Sequence, residues 1–238
     1  MSFAPADYLD LEQTEHAAVF DPEAPVWMAL NRIASYLDAI LDAAGSSGSL
    51  RQGEIHKRAT VGPLVFVAPG AVVEANAVIQ GPAWIGPGTV VRSGAYLRQQ
   101  VIVGKDCVLG NSSEFKNCLL FNGCEVPHFN YVGDSILGHK AHLGAGVICS
   151  NVRLDRRPVR LRDPETGEAI DTGLRKFGAI VGDRTEVGCN SVLNPGSLLG
   201  RDGIVYPGTH WHGILPARRI VKHRQDLIVV EHHVADRA

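Results

Sequence analysis

The chain has 238 residues, a nearly balanced formal charge of -2 and 45% hydrophobic residues. This gives room for one substantial domain or a solenoid with appendages, and no electrostatic reason to expect nucleic acid or an anionic membrane as partner. No apolar run reaches membrane-spanning length, the start lacks a signal-peptide pattern, and five cysteines without CxxC spacing fit a reducing, cytoplasmic compartment.

Residues 1–50 form an N-terminal segment. Its first twenty residues are weakly patterned. Asp21-Pro22 then resembles a helix start, followed by Val26, Leu30, Ile33, Leu37, Ile40 and Leu41 at helical spacing. One amphipathic helix of about twenty residues is predicted, ending at Gly45-Ser46-Ser47-Gly48. Its expected place is across the open first coil of the repeat that begins near Val61, covering unpaired strand edges. Contact with a separate partner domain is the alternative.

From Val61 every sixth residue is aliphatic or aromatic: Val67, Val73, Ile79, Ile85, Val91, Leu97, Val103, Leu109 and Phe115. Small or β-branched residues such as Ala71, Ala77, Ala83, Thr89 and Ala95 recur four places after these sites. A period of six is neither helix nor plain strand. It predicts an all-β solenoid of parallel strands, about eighteen residues per coil, with coils about 4.8 Å apart. Periodicity does not fix the hand.

The solenoid is expected over 51–215. After Phe115 the register slips, so that the aliphatic sites continue as Leu120, Val126, Val132, Leu137, Leu143 and Cys149. Two hexads have become pentads, around Lys116–Leu120 and Gly133–Leu137, and a repeat that breaks its own rule is a place to look for function. Residues 152–175 form a charged insertion with a predicted hairpin turn at Asp163-Pro164-Glu165-Thr166-Gly167, projecting from one edge. The beat resumes at Val181 and runs to Val205, and 216–238 is a tail predicted to hold short strands.

Between the slips lies Pro127-His128-Phe129-Asn130-Tyr131. An eighteen-residue coil stacks Arg98 on Lys116 and puts His128 two corners on. A histidine near cationic side chains suits base chemistry on a phosphorylated substrate, the cations holding the anion and the imidazole taking a proton. A satisfied surface histidine is the bland alternative.

Arg98, Gly110-Asn111, Glu114-x-Lys116, His128-x-x-Tyr131-x-Gly133-Asp134, Gly144-Ala145-Gly146 and Asn151 resemble the acetyltransferase domain of bifunctional glucosamine-1-phosphate N-acetyltransferase/N-acetylglucosamine-1-phosphate uridylyltransferases. Asn151–Asp155 and Gly173–Gly178 look more like the C-terminal domain of archaeal-type sugar-1-phosphate nucleotidylyltransferases. The resemblance implies a left-handed parallel β-helix with an N-terminal helical cap and a projecting loop, a homotrimer, and direct acetyl transfer from acetyl-CoA to an amino-sugar 1-phosphate. It implies His128 as general base and Glu114 as its orienter or a sugar ligand. Arg98, Lys116, Tyr131, His142, Asn151, Arg157, Arg160 and Lys176 would bind substrate, with Ala145 and Cys189 on the acetyl-CoA side and no metal. No nucleotidyltransferase domain is recognised in the chain, which leaves room for a separate one as partner in nucleotide-sugar biosynthesis.

There are departures from the family pattern. His142 stands in place of an asparagine, Val152 of a tyrosine and Cys189 of a serine. A non-catalytic sugar-phosphate-binding or regulatory subunit is therefore the competing reading. A zinc carbonic anhydrase on the same coil is a third, with His128, His139 and His142 as the nearest histidine set, spaced unlike that family's.

Overall fold

The computed structural model describes residues 3–224 and 227–232. Short parallel strands wind into a three-walled solenoid of about nine turns, consistent with the left-handed hexapeptide type. The first wall holds nine described strands, from Glu54–Ile55 through Val108–Asn111, Glu125–His128 and His142–Leu143 to Ile220–Val221. The second wall includes Thr60–Val61, Tyr96–Leu97, Ile148–Cys149 and His210–Trp211, and the third includes Val65–Val67, Ala83–Ile85, Val101–Val103 and Ile214–Leu215. Strand pairs repeat every eighteen residues, as in Val72↔Val90 and Val78↔Tyr96.

The six-step residues fill the interior. Those from Val67 to Phe115 are all buried, as are Leu120, Val126, Val132, Leu137, Leu143 and Cys149 after the slip. The small sites lie at the folds of the wall. Buried Thr89 spends its hydroxyl there, donating to Gly104 O at 2.8 Å and accepting from Cys107 N at 3.0 Å.

The slip has a definite form. Elsewhere the second and third walls are separate strands joined by a corner, as between Tyr96–Leu97 and Val101–Val103. In two successive coils the corner has lost a residue, and single strands, Glu114–Leu120 and Tyr131–Leu137, run through both walls. One left-handed residue makes each bend: Asn117 at φ 45° and Asp134 at φ 47°. Both types tolerate that region.

The third wall is apolar on its outer face as well. Phe66, Trp84, Ile102, Leu119, Ile136, Ile180 and Leu198 stack in register along it. Strands buried on both faces read as unbroken apolar runs rather than alternations, and V-F-V, A-W-I and V-I-V are such runs. The N-terminal segment covers this face. Its helix Ile33–Ser47 packs along Val65–Val67, Ala83–Ile85, Val101–Val103 and Glu114–Leu120. The cap expected across the first coil is thus a lateral cover. The single twenty-residue helix is also corrected: Val26–Asn31 is a 3-10 turn, and α-helix begins only at Ile33. Pro25 sits extended at φ -55°, ψ 138°, and prolines bias the preceding residue away from helix. Asp21 caps only its local turn, accepting from Glu23 N at 3.1 Å.

Residues 160–162 and 169–171 form an antiparallel hairpin, whose turn is held by Asp163 Oδ1 accepting from Glu165 N and Thr166 N. Val159, Leu161, Leu174 and Phe177 bury this arm's base. In the tail, Ile220–Val221 closes the last first-wall strand, while 227–232 carry no strand. Residues 225–226 and 233–238, including His233, lie outside the described residues. Among the described residues no helix is long and apolar enough to cross a membrane.

Candidate functional site

The fused strands bring together five of the residues singled out from the sequence: Arg98, Glu114, Lys116, Tyr131 and Asn151. Register places Glu114 beside Tyr96 on one side and Tyr131 on the other, and Lys116 beside Gly133. Arg98 follows Leu97, which pairs with Phe115, so Arg98 and Lys116 are neighbours on the second wall. Arg98 donates to Glu114 Oε1 at 3.0 Å. Lys116 Nζ lies 3.2 Å from both carboxylate oxygens of Asp134. Asn117 donates to Asp134 Oδ1 at 2.8 Å, and Asn151 donates to Asp134 Oδ2.

Asp134 is the hub, a role that the sequence alone does not assign to it. Its side chain is 5% exposed and accepts from three donors. A buried carboxylate needs such partners, since an unpaired charge there would cost several kcal/mol, of order 5. Tyr131 lies against the same group, its Oη and Asn151 Nδ2 both closing over Gly133. Burial, and then the charges of Asp134 and Glu114, push the Tyr131 phenol up, with Asn151 and Arg98 opposing. Tyr131 therefore stays a neutral phenol at physiological pH. Gly133 is needed for this packing: a Cβ there would meet Tyr131 Oη at 2.5 Å and Asn151 Nδ2 at 2.8 Å. The arm's exit is tied to the cluster by backbone bonds, Phe177 N to Asn151 O at 2.9 Å and Gly178 N to Asp134 O at 2.8 Å.

His128 ends its first-wall strand, next to the corner that leads to Tyr131. The residue is exposed, and its ring makes no hydrogen bond among the described residues. Glu114 Oε1 accepts from Arg98, and among the described residues no hydrogen bond joins Glu114 to His128. Buried Asn130 pins the corner, accepting from His128 N at 3.0 Å and donating to Gly144 O at 2.7 Å. One coil on, Gly146 N donates to His128 O at 3.0 Å, while the adjacent Ala145 amide has no acceptor among the described residues. An unpaired N–H beside an exposed imidazole is an arrangement that could meet a developing oxyanion.

Other expected residues stand apart. His142 begins the strand after Glu125, at the end away from His128, and its Nδ1 lies 2.7 Å from Glu186. With Gly144, Cys189, Tyr206 and Pro207 it lines an open groove of about 290 Å³ on the first wall. Cys189 is the one exposed cysteine. Arg157 and Arg160 lie on the arm, Arg160 3.8 Å from Asp171, and Lys176 is exposed near the arm's exit. No hydrogen bond or ion pair links these three to the Asp134 cluster. His139 is held by Asn122 O at 2.8 Å. Among the described residues, no group of three His, Cys, Asp or Glu could hold a metal ion.

A family model described as the GMPPB C-terminal domain matches residues 79–163, a stretch that contains the cluster and His128. The bifunctional protein GlmU of Methanococcus maripaludis (strain DSM 14266) is 37% identical over 153 residues, covering 64% of this chain and 36% of that protein. The bifunctional sugar-1-phosphate nucleotidylyltransferase/acetyltransferase of Sulfurisphaera tokodaii is 28% identical over 205 residues, covering 85% of this chain and 50% of that one. The chain thus spans half or less of these relatives' lengths. Among solved structures, the acetyltransferase domain of PglB from Neisseria gonorrhoeae FA1090 in complex with acetyl coenzyme A overlays with a TM-score of 0.34 at 15% identity, covering 84% of this chain and 74% of that one. The sequence matches indicate the hexapeptide-repeat acetyltransferase domains, to which this chain's solenoid is similar across the stretch carrying His128.

Proposed function

We propose that the chain is an N-acetyltransferase that moves acetyl from acetyl-CoA to the amine of an amino-sugar 1-phosphate, glucosamine-1-phosphate or galactosamine-1-phosphate. In this reading it works as a cytoplasmic homotrimer in UDP-N-acetylglucosamine-type nucleotide-sugar synthesis, alongside a separate nucleotidyltransferase, with no resident metal. The observation that carries the reading is the exposed, unspent His128 ring at the corner next to the Arg98–Glu114 and Lys116–Asp134–Asn151–Tyr131 groups. The acetyltransferase activity in the name of the Sulfurisphaera tokodaii relative supports the transfer chemistry.

The substrate phosphate sits with Arg98 and Lys116, helped by Lys176 and the arm residues Arg157 and Arg160, and Tyr131 and Asn151 hold the sugar. His128 takes the proton of the attacking amine as its nitrogen bonds to the thioester carbonyl carbon. The carbonyl oxygen gains the negative charge and is met by the Ala145 N–H. Collapse breaks the carbon–sulfur bond, and the His128 imidazolium returns the proton to the departing sulfur, releasing free CoA thiol and N-acetyl sugar phosphate. Cys189 lines the groove that takes the CoA arm, and His142, expected to bind substrate, lines that groove too. Incubation of pure protein with acetyl-CoA and either amino-sugar phosphate is expected to release thiol, and His128→Ala to abolish the release. Sugar-phosphate binding without thiol release would overturn the reading in favour of a non-catalytic subunit.

A further inference from the structure

From the second coil onward, the corner between the first and second walls is made by one left-handed residue per described coil. In the other such coils that residue is Asn76, Gly94, Ser112, Gly146, Asn190 or Gly208, with φ between 53° and 76°. All six are small or polar, as the conformation favours. In the coil of His128 the residue is Phe129, at φ 54°. A bulky aromatic gains nothing from the turn itself.

Nothing inside the molecule rewards it either. Phe129 is 61% exposed and makes no contact with another ring among the described residues. Its neighbours in the column are small: Ser112 stands beside it through the Asn111↔His128 register, and Gly146 follows through its bond to His128 O. Asn130, 3% exposed, fixes the bend from four sides. It accepts from His128 N and donates to Gly144 O through its side chain, its own N–H donates to Ser113 Oγ at 3.1 Å, and its carbonyl accepts from Glu114 N at 2.8 Å. Strain that persists because its surroundings over-determine it is a mark of a functional position.

We infer that Phe129 is a substrate-binding platform, its ring taking the C–H-bearing face of the acceptor hexopyranose while the amine meets His128. This deepens the proposed acetyltransferase reading and rests on it for the acceptor. An aromatic ring gives a large, rigid apolar face with only two rotatable side-chain bonds. A flat C–H face on a sugar is the complement, and the small residues on either side leave the ring accessible.

The test compares wild type with Phe129→Asn and Phe129→Tyr. Calorimetry gives the dissociation constant for glucosamine-1-phosphate and galactosamine-1-phosphate, with thiol release, melting temperature and solution mass measured beside it. Phe129→Asn is expected to fold at least as well, melting about 2–4 °C higher, because asparagine suits the left-handed turn. It is expected to bind the sugar phosphate about tenfold more weakly, with kcat at saturation within about twofold of wild type. Phe129→Tyr is expected to restore the affinity. Unchanged affinity in Phe129→Asn, with wild-type turnover intact, overturns the platform and leaves the acetyltransferase reading standing. Weaker binding accompanied by a fall in solution mass also overturns it, since the ring would then be an intersubunit contact. Wild-type binding without turnover, weakened in Phe129→Asn and restored in Phe129→Tyr, supports the platform while sinking the catalytic reading. Absence of sugar-phosphate binding by wild type overturns both.

Discussion

Replacing Asp134 by asparagine keeps the shape of the hub and the residue's tolerance of φ 47°, and removes its charge and one acceptor oxygen. The carboxylate accepts from Lys116, Asn117 and Asn151. An amide offers one acceptor oxygen in place of two, and turns its NH₂ toward one of these donors. Hydrogen bonds to charged groups contribute about 1.5–3 kcal/mol each way, and breaking a buried pair leaves its partner uncompensated. Lys116, with its side chain 19% exposed, recovers part of that through water. A net destabilisation of about 3 kcal/mol is expected, and at about 2–4 °C per kcal/mol the melting temperature should fall by about 6–12 °C. Urea unfolding of wild type, Asp134→Asn, Lys116→Met and the double variant supplies the cycle. The double variant should be less destabilised than the sum of the singles by about 1–2 kcal/mol, because removing Lys116 removes the unpaired charge. A loss below about 0.5 kcal/mol in Asp134→Asn, or strict additivity, would refute the hub.

Acid should loosen the lateral cover. Burial pushes the His16 imidazole down to about 4, below its ordinary value of 6.5. The neutral ring is held by Tyr36 Oη at 3.1 Å and set edge-on to Trp84. With the folded value below the unfolded one, its stabilising contribution is full above pH 6.5 and is lost progressively down to about pH 4, by about 3 kcal/mol in all. Wild type should therefore lose about 2–3 kcal/mol more than His16→Gln between pH 7 and pH 4.5, and equal losses would contradict this. Thiol titration of the folded protein should find one reactive cysteine in five, Cys189. Burial drives the Cys118, Cys124 and Cys149 thiols up, Cys149 to about 12, so they and buried Cys107 should react only after unfolding. More than one fast thiol would contradict the packing of the interior.

The coil is readable from Val67 to Phe115 because its period is a local property: each hexad contributes one inward side chain, whatever its neighbours do. The outer face of the third wall escapes for the same reason. Counting every sixth residue finds Val65 and Val67 and passes over Phe66 between them, although V-F-V, A-W-I and V-I-V announce strands covered on both sides. Hence the period alone sends the helix to an end of the solenoid, whereas it lies along the flank. In the site, Arg98, Glu114 and Lys116 can be stacked by arithmetic. Asp134 cannot be given its role that way, since its carboxylate meets Lys116 and Asn117 only because two corners have each lost a residue. His142 shows the opposite limit: close in sequence to the site residues, it begins a strand at the end remote from His128.

The proposed acetyl transfer turns on the imidazole of His128 accepting the proton of the attacking amine. Mass spectrometry of the sugar phosphate after incubation with acetyl-CoA, at saturating concentrations of both substrates, tests it most directly. Wild type should give N-acetylated product, and His128→Asn, which keeps a polar side chain at the corner without a base, should form it at least about a hundredfold more slowly. Product formed by His128→Asn at the wild-type rate would contradict it.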